Sequence, residues 1–202
     1  MTESARSASV PAPPLTDTAH AILDAAFAEV LAHGIRRTSI SDIARRCGIA
    51  RQTLYRYWPD AQAVFAALVT RELVAALPAE TAAPRSLTEL AATLVGTADR
   101  IRRMPLIVRL RDTDPELLSR YLLDRLGTSQ YVVHAELARL VAGGQSAGFV
   151  RPGEPTRLAA MLLLITQSAV VSAPLVDEWL DDSDWADELG SALSGYLRPD
   201  PS

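Results

Sequence analysis

The chain has 202 residues, 49% apolar and 22% charged, an ordinary globular balance that allows one sizeable core or a core with a small appended unit. A single cysteine, Cys47, excludes an internal disulfide framework and suits a reducing cytoplasm. The net charge of −4 argues at first against nucleic acid, but DNA binding depends on a local basic face rather than on the total.

Glycine is sparse, Leu, Ala, Arg and Glu dominate, and no stretch alternates β-branched with polar residues, which points to an all-α protein. Every one of the 20 basic residues is arginine. Residues 1–16 contain Pro11, Pro13 and Pro14 and no apolar run, so they read as a flexible arm and not as a secretory signal.

The first helix is expected over Asp17–His33, with Ile22, Leu23, Ala26, Phe27 and Val30 on one face and Gly34 as its stop. A second follows over Ser39–Cys47 before Gly48. A third runs from Arg51 to Trp58, and a fourth is capped by Asp60 and continues towards Leu77. After the break at Pro78–Pro84, the spacing of Ser86 and Glu89 predicts a capping box and a helix to about Arg103. Pro105 opens a short segment, and Asp114-Pro115-Glu116 reads as the start of a helix to Leu126. Another is expected from Ser129 to Ala147.

The stretch Leu158–Val176 is apolar nearly all round, but Thr166, Gln167, Ser168, Ser172 and Pro174 interrupt it. It therefore reads as a helix buried in a core or against a partner, and not as a membrane span. A last amphipathic helix carries Trp185, Leu189, Leu193 and Leu197.

Charge is unevenly placed. Between Ile35 and Trp58 there are six arginines (36, 37, 45, 46, 51 and 56) against one acid, Asp42, whereas 12 arginines face 17 acids from Pro78 onward. The basic stretch also has the geometry of two helices crossing through a tight turn. Ala44 supplies a small residue at closest approach and Gly48 a residue tolerant of a left-handed turn. Ile40, Ile43, Cys47, Ile49 and Leu54 close a small core. Arg51, Gln52, Thr53, Tyr55 and Arg56 are left outward, side chains that read base edges or hold phosphates.

The segment Gly34–Leu68, with Thr38-Ser39-Ile40-Ser41-Asp42-Ile43-Ala44 and Thr53-Leu54-Tyr55-Arg56-Tyr57-Trp58, resembles the N-terminal domain of the tetracycline-repressor (TetR) family. The specific likeness covers about Asp17–Val69, and the turn Ala147–Gly153 resembles one preceding that family's dimerisation helices. The resemblance implies a helix-turn-helix DNA-binding domain over 17–77 and a helical ligand-binding and dimerisation domain over 84–198. It implies that Thr38 caps the second helix and touches phosphate. Arg51, Gln52 and Thr53 would read bases, and Tyr55 and Tyr57 would meet the backbone, with Arg45 and Arg56 adding positive charge. Where the family often carries a phosphate-binding lysine, this chain has Ala61, a loss for which Arg36, Arg37, Arg45 or Arg56 could compensate electrostatically.

The function so implied is a homodimeric repressor that binds a near-palindromic double-stranded operator and is released by a small apolar effector. The implied setting is the bacterial cytoplasm, with no cofactor, metal or membrane. Arg109, Tyr121, Tyr131, His134, Thr166 and Gln167, polar on otherwise apolar helices, are candidates to line the effector pocket, although satisfied interior or interface roles compete for each. An enzyme is not expected, because His20, His33 and His134 are scattered and no nucleophile–base pair or phosphate loop is present. A helical adaptor without DNA binding is the alternative.

Overall fold

The computed structural model describes residues 16–78, 83–116, 118 and 127–200. Residues 1–15 of the expected 1–16 arm, Tyr121, and the course of the chain from 119 to Leu126 lie outside these residues.

Nine helices are described: α1 (Asp17–His33), α2 (Ile40–Cys47), α3 (Arg51–Tyr55), α4 (Ala61–Ala76), α5 (Leu87–Arg102), α6 (Pro105–Thr113), α7 (Thr128–Ser146), α8 (Pro155–Ser172) and α9 (Asp182–Leu197). Short 3-10 turns occupy Ile35–Arg37 and Ala173–Leu175. Side chains near in sequence start most of them. Thr16 accepts the Ala19 N–H, Asp60 the Ala63 N–H, Ser86 the Glu89 N–H and Asp181 the N–H groups of Ser183 and Asp184. Each such cap contributes about 1 kcal/mol. The expected box at Ser86 is one-sided, because the Glu89 carboxylate takes the Arg85 N–H instead, at 2.9 Å.

The apolar side chains gather into two clusters. One joins α1, α2, α3 and α4 through Ile22, Leu23, Ile43, Leu54 and Leu68, and draws in Leu106 and Leu110 from α6. The other joins α5, α7, α8 and α9 through Leu90, Val141, Leu162, Leu193 and Leu197. Helix α6 is therefore shared: it follows α5 in the chain, yet part of its apolar face closes the N-terminal core.

Between α7 and α8, Gly148 adopts φ +80°, and the Phe149 and Val150 N–H groups both donate to the Gly144 carbonyl. A Cβ on Gly144 would stand 2.4 Å from Val150 Cγ2 and 2.8 Å from Phe149 Cε2. Val150 is buried and cannot easily give way. Gly144→Ala is therefore expected to destabilise the fold by about 1–3 kcal/mol. At the adjacent Gly143, a Cβ meets nothing within 4 Å, so Gly143→Ala should stabilise by up to about 1 kcal/mol. Urea unfolding of the two variants checks the pair, and equal effects would contradict this packing.

Helix α8, expected to be buried in a core or against a partner, is buried within this chain on one face only. Leu158, Ala159, Leu162 and Val170 are buried, but Met161 is 44% and Leu164 62% exposed. Pro155–Leu175 is long and apolar enough to cross a membrane by length and composition alone, its best window having mean hydropathy 1.9 with 28% buried within the chain.

Candidate DNA interface and interhelical cavity

The two-helix unit forms for local reasons. Ser39 is extended (φ −104°, ψ 159°) and caps α2 in a complete capping box with Asp42. The Ser39 hydroxyl and backbone N–H, with Arg45, hold the Asp42 carboxyl below its ordinary pKa. Gly48 takes the left-handed conformation (φ 71°, ψ 27°) that ends α2. The Ile49 N–H returns to the Ala44 carbonyl at 3.0 Å, which turns the chain into α3. Leu54, with no exposure, pins α3 to the core.

This arrangement corrects the expectation for Thr38. Ser39, one residue on, is the cap. Thr38 is buried, its hydroxyl donates to the Gly34 carbonyl at 2.8 Å and its N–H to Ile35, so no free donor remains for phosphate. Helix α3 is also shorter than expected. It ends at Tyr55, and a turn in which the Tyr57 and Trp58 N–H groups bond to the Leu54 carbonyl leads to Trp58.

On the outer edge of the unit, Arg51, Gln52 and Arg56 are exposed and Thr53 is half-buried. Tyr55 is 52% exposed. Tyr57 is half-buried, and the hydroxyls of Thr16 and Thr18 lower the pKa of its phenol. That contact ties the turn after α3 to the start of α1.

The six arginines divide sharply. Arg46 donates to Glu29 at 2.7 Å, a buried carboxylate on α1, so it fastens α2 to α1. Arg45 pairs with Asp42 at 2.7 Å while keeping 75% of its side chain exposed. Arg36 reaches away to the C-terminal end of α6, 2.8 Å from Asp114 and 2.7 Å from Glu116. Glu116 first, and then Asp114, raise its pKa. Arg37, Arg51 and Arg56 are exposed and make no ion pair among the described residues. The basic face is therefore narrower than the sequence count suggests, and it centres on α3.

A cavity of about 120 Å³ opens among α4, α5, α6, α7 and α8. Its wall is almost wholly apolar, including Leu73, Leu94, Ile107, Leu137, Leu163 and Val170. Of the sequence-nominated pocket residues that are described, Thr166 and Gln167 lie on this wall. The others do not. Arg109 points to α1, where its Nη2 donates to the Ala32 carbonyl at 3.4 Å. Tyr131 is 58% exposed. His134 Nε2 meets the Thr156 carbonyl at 2.9 Å, joining α7 to α8. Thr93, Thr97, Ser129, Gln130 and Glu136 are polar wall residues that the sequence did not single out. Their helices read correctly, but periodicity cannot say which neighbour each face meets.

A two-helix unit with a glycine turn, an exposed Arg51–Gln52 edge and a helical body packed beside it are the parts of a helix-turn-helix transcriptional regulator. Residues 22–68 match the family described as bacterial regulatory proteins, tetR family. HTH-type transcriptional regulators of Mycobacterium bovis and Mycobacterium tuberculosis are each 40% identical over 181 residues, covering 90% of this chain and 95% of each relative. The chain belongs to the tetR family. Among solved structures, a TetR-family regulator from a Rhodococcus species superposes with TM-score 0.64 at 18% identity, covering 91% of this chain and all (100%) of that one. SmeT, the repressor of the Stenotrophomonas maltophilia multidrug efflux pump, does so with TM-score 0.59 at 22% identity, over 92% of this chain and 94% of that one. At these identities the structural likeness concerns the fold.

Proposed function

We propose that this protein is a homodimeric repressor that holds a near-palindromic operator through Arg51, Gln52 and Thr53, and that a small molecule in the α4–α8 cavity releases it. The observation carrying this reading is the exposed, ion-pair-free Arg51 edge of α3, anchored from beneath by the buried Leu54. Tyr55, Arg56 and Arg37 flank it and would hold phosphates, with Arg45 and Tyr57 at the margins. Residues 17–77 act as the DNA-reading domain and 84–198 as the effector and dimer domain, the two sharing α6. Such a regulator works in the bacterial cytoplasm on chromosomal DNA and carries out no catalysis.

Dimerisation is supported by the uncovered apolar stripe of α8, Met161 and Leu164, continued by Leu175 (78% exposed) and Trp179 (72% exposed). Burying that stripe against a second copy along a twofold axis would set two recognition helices about 34–36 Å apart, or a multiple of that turn.

Release requires that the effector favour a state that does not bind DNA. Two helices link cavity and reader. Val69, Leu73 and Leu77 of α4 and its end line the cavity, and so do Ile107 and Leu110 of α6. The far side of α6 grips the reader through Arg109 on Ala32 and Asp114 on Arg36. SmeT has been solved in complex with triclosan, a precedent for a small organic ligand in this fold.

Selection of bound fragments from genomic DNA with the purified protein tests the reading. Recovered fragments are expected to share a near-palindrome and to be lost with Arg51→Ala. Recovery of unrelated sequences would favour a helical protein without sequence-specific DNA binding.

A further inference from the structure

We infer that the cavity selects an uncharged, hydrocarbon-like molecule of about one aromatic ring or an equivalent short chain, recognised by shape rather than by a polar group. The inference takes the cavity as the effector site of the proposed repressor and specifies what fits it.

Size comes first. At about 120 Å³ the space is slightly smaller than the roughly 150 Å³ apolar cavity that stays dry and accepts benzene.

The chemistry of the wall points the same way. Three threonines line it, and each hydroxyl is turned back onto its own helix. Thr93 donates to the Glu89 carbonyl, Thr97 to Thr93 and Thr166 to Leu162, each at 2.8 Å. Thr97 Oγ1 also accepts Arg100 Nη2 at 2.9 Å. Gln130 Oε1 takes the Gly127 N–H at 2.8 Å and lies 3.3 Å from the Ser129 hydroxyl. Polar residues thus reach the wall with their hydrogen-bonding capacity largely committed elsewhere.

Charge is handled likewise. Among the described wall residues Glu136 is the one ionisable side chain, and no Arg or His joins it. Both of its oxygens are held by Arg139, at 2.6 and 2.8 Å. An organic acid would find no cation among the described wall residues, and an amine would find a carboxylate already paired with Arg139. Either would lose its hydration without a partner, a large penalty in an apolar site. A hydrocarbon loses nothing of that kind and gains the dispersion and burial that a filled cavity offers. Gln167 has no hydrogen bond among the described residues, so its amide is the one group on the wall that could read a neutral polar substituent.

Calorimetric titration of the full-length protein with toluene, benzyl alcohol, benzoate and benzylamine tests the inference. Toluene is expected to bind saturably with Kd on the order of 1 mM or tighter, and benzoate and benzylamine at least about tenfold more weakly. Val133→Phe, which places a ring on the wall, should abolish toluene binding. If that variant fails to fold, the selectivity series on the wild type decides. Absence of toluene binding, or benzoate or benzylamine binding as tightly as toluene, would overturn the inference. So would benzyl alcohol binding about tenfold tighter than toluene with the gain lost in Gln167→Leu. Operator affinity measured alongside separates the two readings. Toluene that binds without weakening the operator complex contradicts the effector role but leaves the cavity chemistry standing. Operator binding with no toluene site contradicts only the cavity chemistry.

Discussion

Arg51→Ala is expected to lower affinity for the specific operator by about 30-fold or more while leaving thermal unfolding unchanged. One bidentate contact from an arginine to a base edge contributes about 1–3 kcal/mol of discrimination, and a dimer makes each contact twice. The fold should not notice the change, because Arg51 is exposed and makes no ion pair among the described residues. Leu54→Ala, three residues on, should behave in the opposite way. Leu54 has no exposure, and its truncation costs about 2–5 kcal/mol, so DNA binding would be lost together with stability. Electrophoretic mobility shift combined with thermal denaturation distinguishes the two. Wild-type operator affinity in Arg51→Ala would sink the assignment of α3 as the reader.

The second large effect concerns communication. Asp114 has only 3% of its side chain exposed, while Arg36 keeps 61%. The Arg36 Nε lies 2.8 Å from Asp114 Oδ1, but the N–H is not aimed well enough to count as a hydrogen bond. The contact is therefore chiefly Coulombic, with Glu116 adding the aligned bond at 2.7 Å. Removing one partner of a pair costs most where the other is left buried and uncompensated. Arg36→Ala leaves the buried Asp114 carboxylate without its cation and should lower the unfolding midpoint measurably. Deleting both charges, in Arg36→Ala/Asp114→Ala, should restore much of that loss, because no uncompensated carboxylate then remains.

Coupling should not return with stability. Effectors in such switches change DNA affinity by about 5- to 150-fold, and in the double variant that ratio is expected to fall towards unity while each ligand still binds. Gly34, where the chain turns with φ +80° beside Thr113 and Asp114, places this contact directly against the reader. An unchanged coupling ratio in the double variant would assign transmission to α4 alone.

The DNA-reading unit was legible because its determinants are local. Ala44, Gly48 and Leu54 lie within 11 positions of one another in the sequence, and each acts on its own turn of chain. Most helix starts were equally readable, since a cap bonds to an amide two or three residues away. Thr38 and Ser39 could not be separated by type, as both are cap residues. The choice is made by burial, which turns the Thr38 hydroxyl inward to Gly34. Likewise nothing in the local pattern stops α3 at Tyr55; the turn that follows is set by packing Tyr57 and Trp58 onto the core.

Contacts between distant positions were not readable. Arg36 meets Glu116 across 80 positions and Arg46 meets Glu29 across 17, so basic residues counted towards DNA are in part internal fasteners. The pocket failed for a related reason. A polar residue on an apolar helix looks alike whether it faces a cavity, as Gln167 does, or a neighbouring helix, as Arg109 does. Only the arrangement of five helices decides which.

The most direct test of a dimer gripping DNA through an α3-centred arginine edge is a salt titration of binding to a selected fragment and to a shuffled copy. About 6–10 phosphate contacts per dimer predict that affinity falls roughly 10³- to 10⁵-fold between about 50 and 200 mM salt, with the selected site held at least ~10³-fold more tightly than the shuffled one. Affinity that ignores salt, or that is equal for the two sequences, would contradict the account.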